Sequence, residues 1–447
     1  MLKMTRGRRG PLRQTIFVCS IQSCRFIVGV LTLSLLLASQ VAAENWPRFR
    51  GPTGQGISSE HNLPVRWSAT DNIAWKSEIP GEGWSSPIVW EDHVFLTSAT
   101  DDGKSCRVIS LDRRTGEILW NVEVATQVPG RKRTKNSYAS PTPVTDGEHV
   151  FVVFASGVIV ALDYAGNIAW KNDEVRFFSV HGLGASPILV RDHLIMPYDG
   201  SSDGVDNQIG FKIPWGGAFV LSVDKRTGTV NWRGRRGLSR LGHVTPVVLS
   251  LGGQDQIITC AGDAVQAFDP ANGVRLWSVY SKGEGVTPSP VIGERLIFTA
   301  SGFEEPTIRA IRWGGKDDVT RTHIAWEQKK GVPTQPSLLY VRPHLYAISD
   351  QGIATCYQEA TGDVVWRERI GSAHCASPIY ADGRIYFLSE EGEATVIEAG
   401  GTFQVVARNT IPERSLSSYA VSQRNIFIRT DKHLYCVGRS DKVIKKE

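Results

Sequence analysis

Three histidines and two aromatic residues are the side chains whose types and positions favour a binding site: His181, His243, His374, Trp84 and Tyr138. Each lies shortly before a recurring step in which Ser or Thr precedes Pro. Imidazole and aromatic rings that converge on one mouth would form a pocket for a small ligand or a peptide. Zinc binding by the three histidines is an alternative, but their separation follows no zinc motif. We therefore expect a binding site and no metal.

Acidic and nucleophilic residues offer less chemistry. Asp199, Asp203 and Asp206 are spaced more loosely than the ligands of a calcium loop. A Gly-x-Ser-x-Gly match occurs at 200–204, but no helical period follows it as a nucleophile elbow requires, and no HExxH motif is present. An odd number of cysteines remains after residue 43, without CxxC spacing: Cys106, Cys260, Cys356, Cys375 and Cys436. We assign no catalytic residue from the sequence.

A repeated pattern identifies the elements that must position these residues. A small residue, an apolar residue and Asp lead into a turn that ends in Gly, and Trp follows four residues later. Gly provides the positive φ of the turn, and Trp can pack between neighbouring repeats with its indole N–H on a backbone carbonyl. The residues of this signature are Asp112, Gly116, Trp120, Asp163, Gly166, Trp170, Asp224, Gly228, Trp232, Asp269, Gly273, Trp277, Trp326, Gly362 and Trp366.

The Ser/Thr-Pro step is a second marker of the same repeat. It recurs 42 to 59 residues apart, at Pro87, Pro141, Pro187, Pro246, Pro288, Pro336 and Pro378, although Gln335 replaces the Ser or Thr before Pro336. A strand, a tight turn and another strand follow each proline, and no comparable window has a helical period. Four short strands in each repeat of this length are typical of a β-propeller blade.

The two ends of the repeat region predict how the ring closes. An eighth copy, which starts near residue 417, lacks its last strand, and residues 72–78 provide a spare one. The sequence therefore predicts an all-β protein over residues 72–438, an eight-bladed β-propeller of four-stranded antiparallel blades closed by an N-terminal strand. Seven blades are the alternative. In this arrangement the residue two positions before each Ser/Thr-Pro step faces the channel mouth.

The N-terminal segment has the composition of an export signal. Residues 1–43 contain six basic and no acidic residues, an apolar run over 26–38 and small residues before position 44. We expect cleavage after residue 43, with an uncleaved anchor as the alternative. The remaining chain has 44 Lys+Arg against 45 Asp+Glu, a net charge of −1, which disfavours nucleic acid as a partner. We expect a periplasmic or secreted protein with a lead-in at 44–71 and a basic tail at 439–447.

One basic cluster remains in this part of the chain. Residues 131–135 contain three arginine and lysine side chains in succession and a fourth after Thr134. The loop joins the first two blades at the mouth face. A solvated loop is the simplest interpretation, and contact with an acidic partner or a membrane surface is the alternative.

The repeat resembles the PQQ-like, or quinoprotein-type, β-propeller repeat Ala-x-Asp-x-x-Thr-Gly-x-x-x-Trp over residues 72–437. This resemblance implies a fold that is shared by PQQ-dependent alcohol and glucose dehydrogenases and by non-catalytic scaffolds. One such scaffold is the propeller subunit of the outer-membrane β-barrel assembly machinery. The signature lies in the scaffold, so it identifies the fold more specifically than the function.

The same resemblance separates two functions. Dehydrogenases of the alcohol type have adjacent cysteines beside the cofactor and a calcium site of Glu, Asn and Asp. This sequence has no Cys-Cys pair and no such acidic constellation on its inner strands. The sequence favours an exported non-catalytic scaffold without a cofactor, which binds an envelope or extracellular protein or a small molecule. The alternative is a PQQ- and calcium-dependent alcohol or sugar oxidoreductase, or its degenerate relative.

Overall fold

A computed structural model describes residues 44–439 of the chain. The predicted export signal at 1–43 and all but the first residue of the predicted tail lie outside the described residues. The described chain forms strands grouped in eight sheets, with one 3₁₀ turn at Asp101–Gly103 and one short helix, α1, at Thr320–His323. The prediction of eight blades is confirmed, and the seven-blade alternative is wrong.

The strands are numbered β1 to β33 in chain order, and each blade runs from its inner to its outer strand. The first strand, β1 (Ile73–Glu78), belongs to the last blade. Blades 1 to 4 contain β2 (Ile88–Trp90), β3 (His93–Thr100), β4 (Ser105–Asp112), β5 (Ile118–Thr126); β6 (Val144–Thr145), β7 (His149–Val153), β8 (Ile159–Asp163), β9 (Ile168–Asn172); β10 (Ile188–Val190), β11 (His193–Tyr198), β12 (Phe219–Asp224), β13 (Val230–Arg235); and β14 (Val247–Leu251), β15 (Gln254–Cys260), β16 (Ala264–Phe268), β17 (Arg275–Tyr280).

The second half of the ring follows the same order. Blades 5 to 8 contain β18 (Val291–Ile292), β19 (Leu296–Ala300), β20 (Ile308–Arg312), β22 (Ile324–Gln328); β23 (Leu339–Val341), β24 (His344–Ile348), β25 (Ile353–Gln358), β26 (Val364–Arg369); β27 (Ile379–Ala381), β28 (Arg384–Leu388), β29 (Glu393–Glu398), β30 (Val405–Thr410); and β31 (Ala420–Ser422), β32 (Asn425–Arg429), β33 (His433–Val437) with β1. A short strand, β21 (Asp317–Asp318), adds to blade 4 as a parallel fifth strand.

Burial changes across each blade from the middle strands to the outer strand. In blade 2, β7 and β8 are almost entirely buried, because both of their faces pack against neighbouring blades. The outer strand β26 of blade 6 buries only Trp366. This pattern explains why the middle strands are nearly continuous apolar runs while the outer strands are polar.

The N-terminal strand closes the ring. β1 pairs antiparallel with β33, so blade 8 has the order β1-β33-β32-β31. Trp75 of β1 lies opposite Cys436, and Lys76 contacts the Glu413 carboxylate at 2.9 Å. Blade 8 therefore joins the two ends of the described chain, and no open sheet edge remains between blades 7 and 1.

Tryptophans of the outer strands join neighbouring blades. The Trp170 indole N–H donates to the Lys225 carbonyl of the next blade at 2.9 Å, and its ring covers Gly228. A Cβ at Gly228 would lie 2.4 Å from that ring, so glycine is required both for this approach and for its φ of +73°. Equivalent indole bonds, at 2.8 to 3.1 Å, are made by Trp75, Trp120, Trp232, Trp326 and Trp366.

The boundary between blades 4 and 5 departs from this pattern. The connection after β20 is long and contains β21 and α1 in place of the short signature turn. The Trp277 indole therefore bonds Gln256 in its own blade at 3.1 Å, and β21 pairs with β17 beside it. This irregular connection is the physical reason why the fifth copy of the signature is degenerate.

The lead-in segment closes the channel below the mouth. Trp46 pairs with Val89 of blade 1, and the Pro47 carbonyl accepts the N–H of Thr145 in blade 2. Arg50 donates to the Leu338 carbonyl beside the inner strand of blade 6, and Gln55 accepts the Ile292 N–H of blade 5. Ile57 pairs with Tyr380 of blade 7, and the Glu44 carbonyl accepts the Ser422 hydroxyl of blade 8. Residues 44–57 thus contact six of the eight blades.

Candidate ligand cavity at the channel mouth

A ring of hydroxyl groups surrounds the channel just inside the mouth. We call it the hydroxyl belt, and it consists of Ser86, Thr142, Ser186, Thr245, Ser289, Ser337, Ser377 and Ser418. The inner strand of every blade begins two residues after its belt residue. Proline follows six of the eight, and it restricts the preceding backbone to an extended conformation that leads into the strand.

Backbone hydrogen bonds connect the belt around the ring. The N–H of each belt residue donates to the hydroxyl of the next, at 2.9 to 3.1 Å, in seven of the eight steps formed by the described residues. The series closes where the Ser418 N–H donates to Ser86 at 3.0 Å. The step from Thr245 to Ser289 is missing, and the Ser289 hydroxyl has no partner among the described residues. Blade 5 therefore interrupts the belt as well as the outer signature.

A cavity of about 660 Å³ lies at the belt and above it. Each blade contributes to its wall the residue two positions before the belt: Trp84, Ser140, Gly184, His243, Thr287, Gln335, Cys375 and Leu416. Phe49 of the lead-in lines it from the closed end of the channel, and Phe303 lies at its rim. The cavity is therefore a cup, formed by all eight blades and closed by the N-terminal segment.

The structure brings together three of the five residues proposed from the sequence. Trp84, His181 and His243 line the cavity. Tyr138 lies instead in a second cavity of about 760 Å³ beside blades 2 and 3, where its hydroxyl donates to the Gly130 carbonyl at 2.9 Å. His374 is buried outside the cup with its Nδ1 3.1 Å from the Ser372 carbonyl, and its neighbour Cys375 lines the cup.

Tyr138 lies outside the cup because the belt residue of blade 2 is two residues further along the chain than the first Ser-Pro step predicts. In blade 2 the chain reads Ser-Pro-Thr-Pro, and the belt residue is Thr142, which follows Pro141. Blades 5 and 6 have the same shift, since their belt residues Ser289 and Ser337 follow Pro288 and Pro336. The rule that the residue two positions earlier faces the mouth therefore applies to Ser140 rather than to Tyr138.

Two neutral imidazoles form one side of the cup. The ring centroids of His181 and His243 are 6.0 Å apart, and His181 packs edge-on against Phe211 at 4.7 Å. Burial lowers the pKa of His181 to about 4, with the charges of Arg133 and Lys212 lowering it further. Burial likewise lowers the pKa of His243 to about 3. Both rings are uncharged at neutral pH, so they offer hydrogen bonds rather than positive charge.

Several polar atoms of the wall have no hydrogen-bond partner among residues 44–439. They are the Trp84 Nε1, His181 Nε2, His243 Nδ1 and Glu284 Oε2 atoms. Buried polar atoms without partners are costly and uncommon. They belong to side chains that line one cavity, but each of these atoms is itself covered and does not face the open space.

The basic loop at 131–135 crosses the mouth. Lys132 pairs with Glu82 at 3.2 Å, and Lys135 reaches Glu390 of blade 7 at 2.5 Å. The Arg133 side chain lines the cup and makes no ion pair with a described residue. The one carboxylate in the wall, Glu284, pairs with Lys212. The described wall therefore carries one unpaired charge, which is positive.

The acidic and sulfur groups considered from the sequence occupy other environments. Asp199 is fully buried and holds Arg236 through two contacts of 2.6 and 2.5 Å, whereas Asp203 is exposed. The described residues contain no group of three side chains arranged to hold a metal ion. Burial raises the pKa of Cys375 to about 12, so its thiol stays protonated and is a poor nucleophile.

Sequence comparison identifies the family to which this arrangement belongs. A family model described as outer membrane protein assembly factor BamB matches residues 57–173, 107–334 and 317–402. The chain belongs to the PQQ-like β-propeller family. The quinoprotein alcohol dehydrogenase PedH of Pseudomonas putida is 23% identical over 237 residues, which is 48% of this chain and 36% of PedH. The chain thus matches about a third of the length of that relative.

Solved structures show the same fold. The crystal structure of BamB from Moraxella catarrhalis superposes with a TM-score of 0.57 and 14% identity, over 81% of this chain and 96% of that one. A europium-containing methanol dehydrogenase superposes with a TM-score of 0.60 and 12% identity, over 86% and 89%. At these identities the similarity concerns the architecture, which a scaffold and an enzyme share.

The donor set of the cup does not fit a metal-bound quinone cofactor. Calcium requires several oxygen ligands, mostly carboxylates. The described wall has one carboxylate, Glu284, and Lys212 already pairs with it. The two imidazoles beside it are poor calcium ligands. A cofactor held through a calcium ion would therefore find one carboxylate ligand among the described residues of the cup.

Proposed function

We propose that the protein is a non-catalytic β-propeller scaffold that binds a protein or small-molecule partner at the channel mouth. The observation that carries this proposal is the cup, because its wall combines a ring of hydroxyl groups with side chains that differ from blade to blade. A volume of about 660 Å³ is within the range of ligand-binding pockets. A role in envelope assembly is consistent with the similarity to BamB.

The location of the protein is part of the same proposal. We propose that residues 1–43 direct export and are removed, leaving the lead-in (44–71), the propeller (72–438) and the tail (439–447) outside the cytoplasm. The basic and apolar composition of residues 1–43 supports this. Within residues 44–439, no helix has the length and apolar character needed to span a bilayer.

Site-specific photo-crosslinking in cells tests where a partner binds. A photoreactive amino acid at Trp84 or at the rim residue Phe303 should give a crosslinked product. The same label at Leu119, which is 48% exposed on an outer strand, is the matched control and should give none. Equal crosslinking from the mouth and the outer strand would contradict the proposal.

A PQQ-dependent oxidoreductase is the second candidate function, and the similarity to PedH favours it. Purified protein should be incubated with PQQ and calcium or a lanthanide, desalted and assayed with alcohols, sugars and a redox dye. The scaffold proposal expects neither retained cofactor nor turnover. Stoichiometric retention with dye reduction would replace it by the enzyme.

A further inference from the structure

The O–H groups of the hydroxyl belt are hydrogen-bond donors without an acceptor among the described residues, and they point to a ligand. A hydroxyl group has one O–H donor and two acceptor positions. In the seven linked steps, an N–H from the preceding belt residue occupies one acceptor position. No belt hydroxyl donates to another residue within the described part of the chain. Seven of the eight belt residues also line the cup.

The charges at the mouth favour an anion as the group that meets these donors. Arg133 lines the cup without an ion pair among the described residues, whereas Glu284 is paired with Lys212. A cation would find only one carboxylate in the wall, which is already neutralised by Lys212.

His243 adds a buried polar side chain beside the belt. The His243 side chain is only 9% exposed, it lines the cup, and its Nδ1 atom has no partner in the described chain. Because the ring is neutral, it can donate one hydrogen bond and accept another.

We propose that the hydroxyl belt binds a carboxylate near the channel axis, with the attached body of the ligand packed against Trp84, His181 and Phe303 at the mouth. The carboxylate belongs either to the C-terminal end of a polypeptide or to a free small acid. This inference rests on the proposed binding function and names the chemistry of that same site. A ring of O–H donors in a cup closed by Phe49 leaves the acid group few competing waters, which strengthens each charge-assisted bond.

Calorimetry with paired probes tests the proposal on the unmodified protein. The probes are an N-acetylated tetrapeptide ending in Phe with a free carboxylate, the same peptide as its C-terminal amide, phenylacetate, inorganic phosphate and calcium chloride. We expect an acid-ended probe to bind at least tenfold more tightly than the amide, because hydrogen bonds to a charged group are stronger than those to a neutral group. Tighter binding of the peptide than of phenylacetate identifies a polypeptide end as the source, and the reverse identifies a free acid.

Belt variants locate the binding group. Thr245→Val keeps the shape of the side chain but removes its hydroxyl, so it should weaken binding of the acid-ended probe by about tenfold. Thr245→Ser should restore it. Ser289→Ala is the matched control, because the Ser289 hydroxyl belongs to the belt yet does not line the cup, and it should bind as the unmodified protein does.

Several results would overturn the proposal. They are equal affinity for the acid and the amide, unchanged binding by Thr245→Val, binding of calcium alone, or no binding of any carboxylate. If Thr245→Val does not fold, the comparison of acid and amide on the unmodified protein still decides. If the crosslinker at Trp84 captures a partner while acid and amide bind equally, the carboxylate inference fails and the proposed scaffold function stands.

Discussion

The outer edge of the ring repeats the same contact from blade to blade, whereas the channel mouth has a different residue in each blade. At the outer edge, six tryptophans make the same indole-to-carbonyl bond to the next blade. At the mouth, the equivalent position is occupied by a different residue type in each of the eight blades: Trp, Ser, Gly, His, Thr, Gln, Cys and Leu. Repetition at the edge stabilises one fold, and its absence at the mouth gives each part of the cup its own chemistry.

The largest loss of unfolding free energy should come from breaking one of the repeated tryptophan contacts at the outer edge. Gly228→Ala places a methyl group 2.4 Å from the Trp170 ring at a φ of +73°, so we expect a loss of about 3 kcal/mol in unfolding free energy. Gly383→Ala is the matched control, since its φ is +78° and no atom lies within 4 Å of the new methyl group. It should cost about 1 kcal/mol. Equal losses in urea unfolding would show that the ring contact contributes nothing.

A somewhat smaller loss of unfolding free energy should appear as the pH is lowered, because of His243 at the mouth. His243 has a pKa near 3 in the folded protein because it is buried, so only the unfolded chain takes up its proton below pH 6.5. The contribution of neutral His243 is complete above that pH and falls as the pH drops, by about 2 kcal/mol between pH 7 and 5. His243→Gln should remove that part of the dependence, as measured by unfolding at both pH values. A slope unchanged by the substitution would mean that the imidazole protonates in the folded state.

The ring closure should show an effect of about 1 kcal/mol at lower pH. Burial raises the pKa of Glu413, but hydrogen bonds from Thr430, Tyr435, Lys76 and His433 outweigh it and hold the pKa at about 2. This stabilisation is present above pH 5 and is lost as the pH falls towards 2, and partial exposure reduces it to about 1 kcal/mol. Glu413→Gln should flatten the stability profile between pH 5 and 3. If both proteins lose stability in parallel, the closure contacts are not the cause.

The smallest effect on stability should accompany the largest effect on binding. Trp84 is half-buried at the mouth and makes none of the repeated contacts, so Trp84→Ala should cost less than about 1 kcal/mol. The same variant should abolish binding of the acid-ended probe, because its indole lines the cup. Thermal unfolding and calorimetry on one preparation measure both. A large loss of stability without a loss of binding would reverse the comparison between edge and mouth.

This contrast also explains how far the sequence predicted the molecule. The number of blades and the closing strand followed from spacing within each repeat, because a turn glycine and its tryptophan are only four residues apart. The lining of the cup was harder to predict from the sequence, because the residues that meet there come from eight different blades. Tyr138 was misplaced since two proline steps stand side by side in blade 2, and the hydrogen bonds that join Thr142 to Ser86 and Ser186 identify the belt residue.

Other residues of the cup belong to no repeat pattern, so nothing in the local sequence predicts their position. Phe49 closes the cup from a segment that contains no repeat, and Phe303 and Glu284 come from loops of the irregular blade 5 and its border. Most of the belt was visible in the sequence, because six of its eight residues are Ser or Thr followed by Pro. The prolines mark the spacing of the repeats, and the hydroxyl residue two positions before each inner strand was the signal that could have revealed the belt.

The lead-in also constrains the order in which the protein can fold. Residues 44–78 are synthesised before any blade, yet Arg50, Ile57 and Trp75 find partners at Leu338, Tyr380 and Cys436, hundreds of residues later. Contacts of such long sequence separation form slowly. The cup can acquire its base only after the last blades have been synthesised, so a chain arrested before residue 437 would present an open ring without a finished binding site.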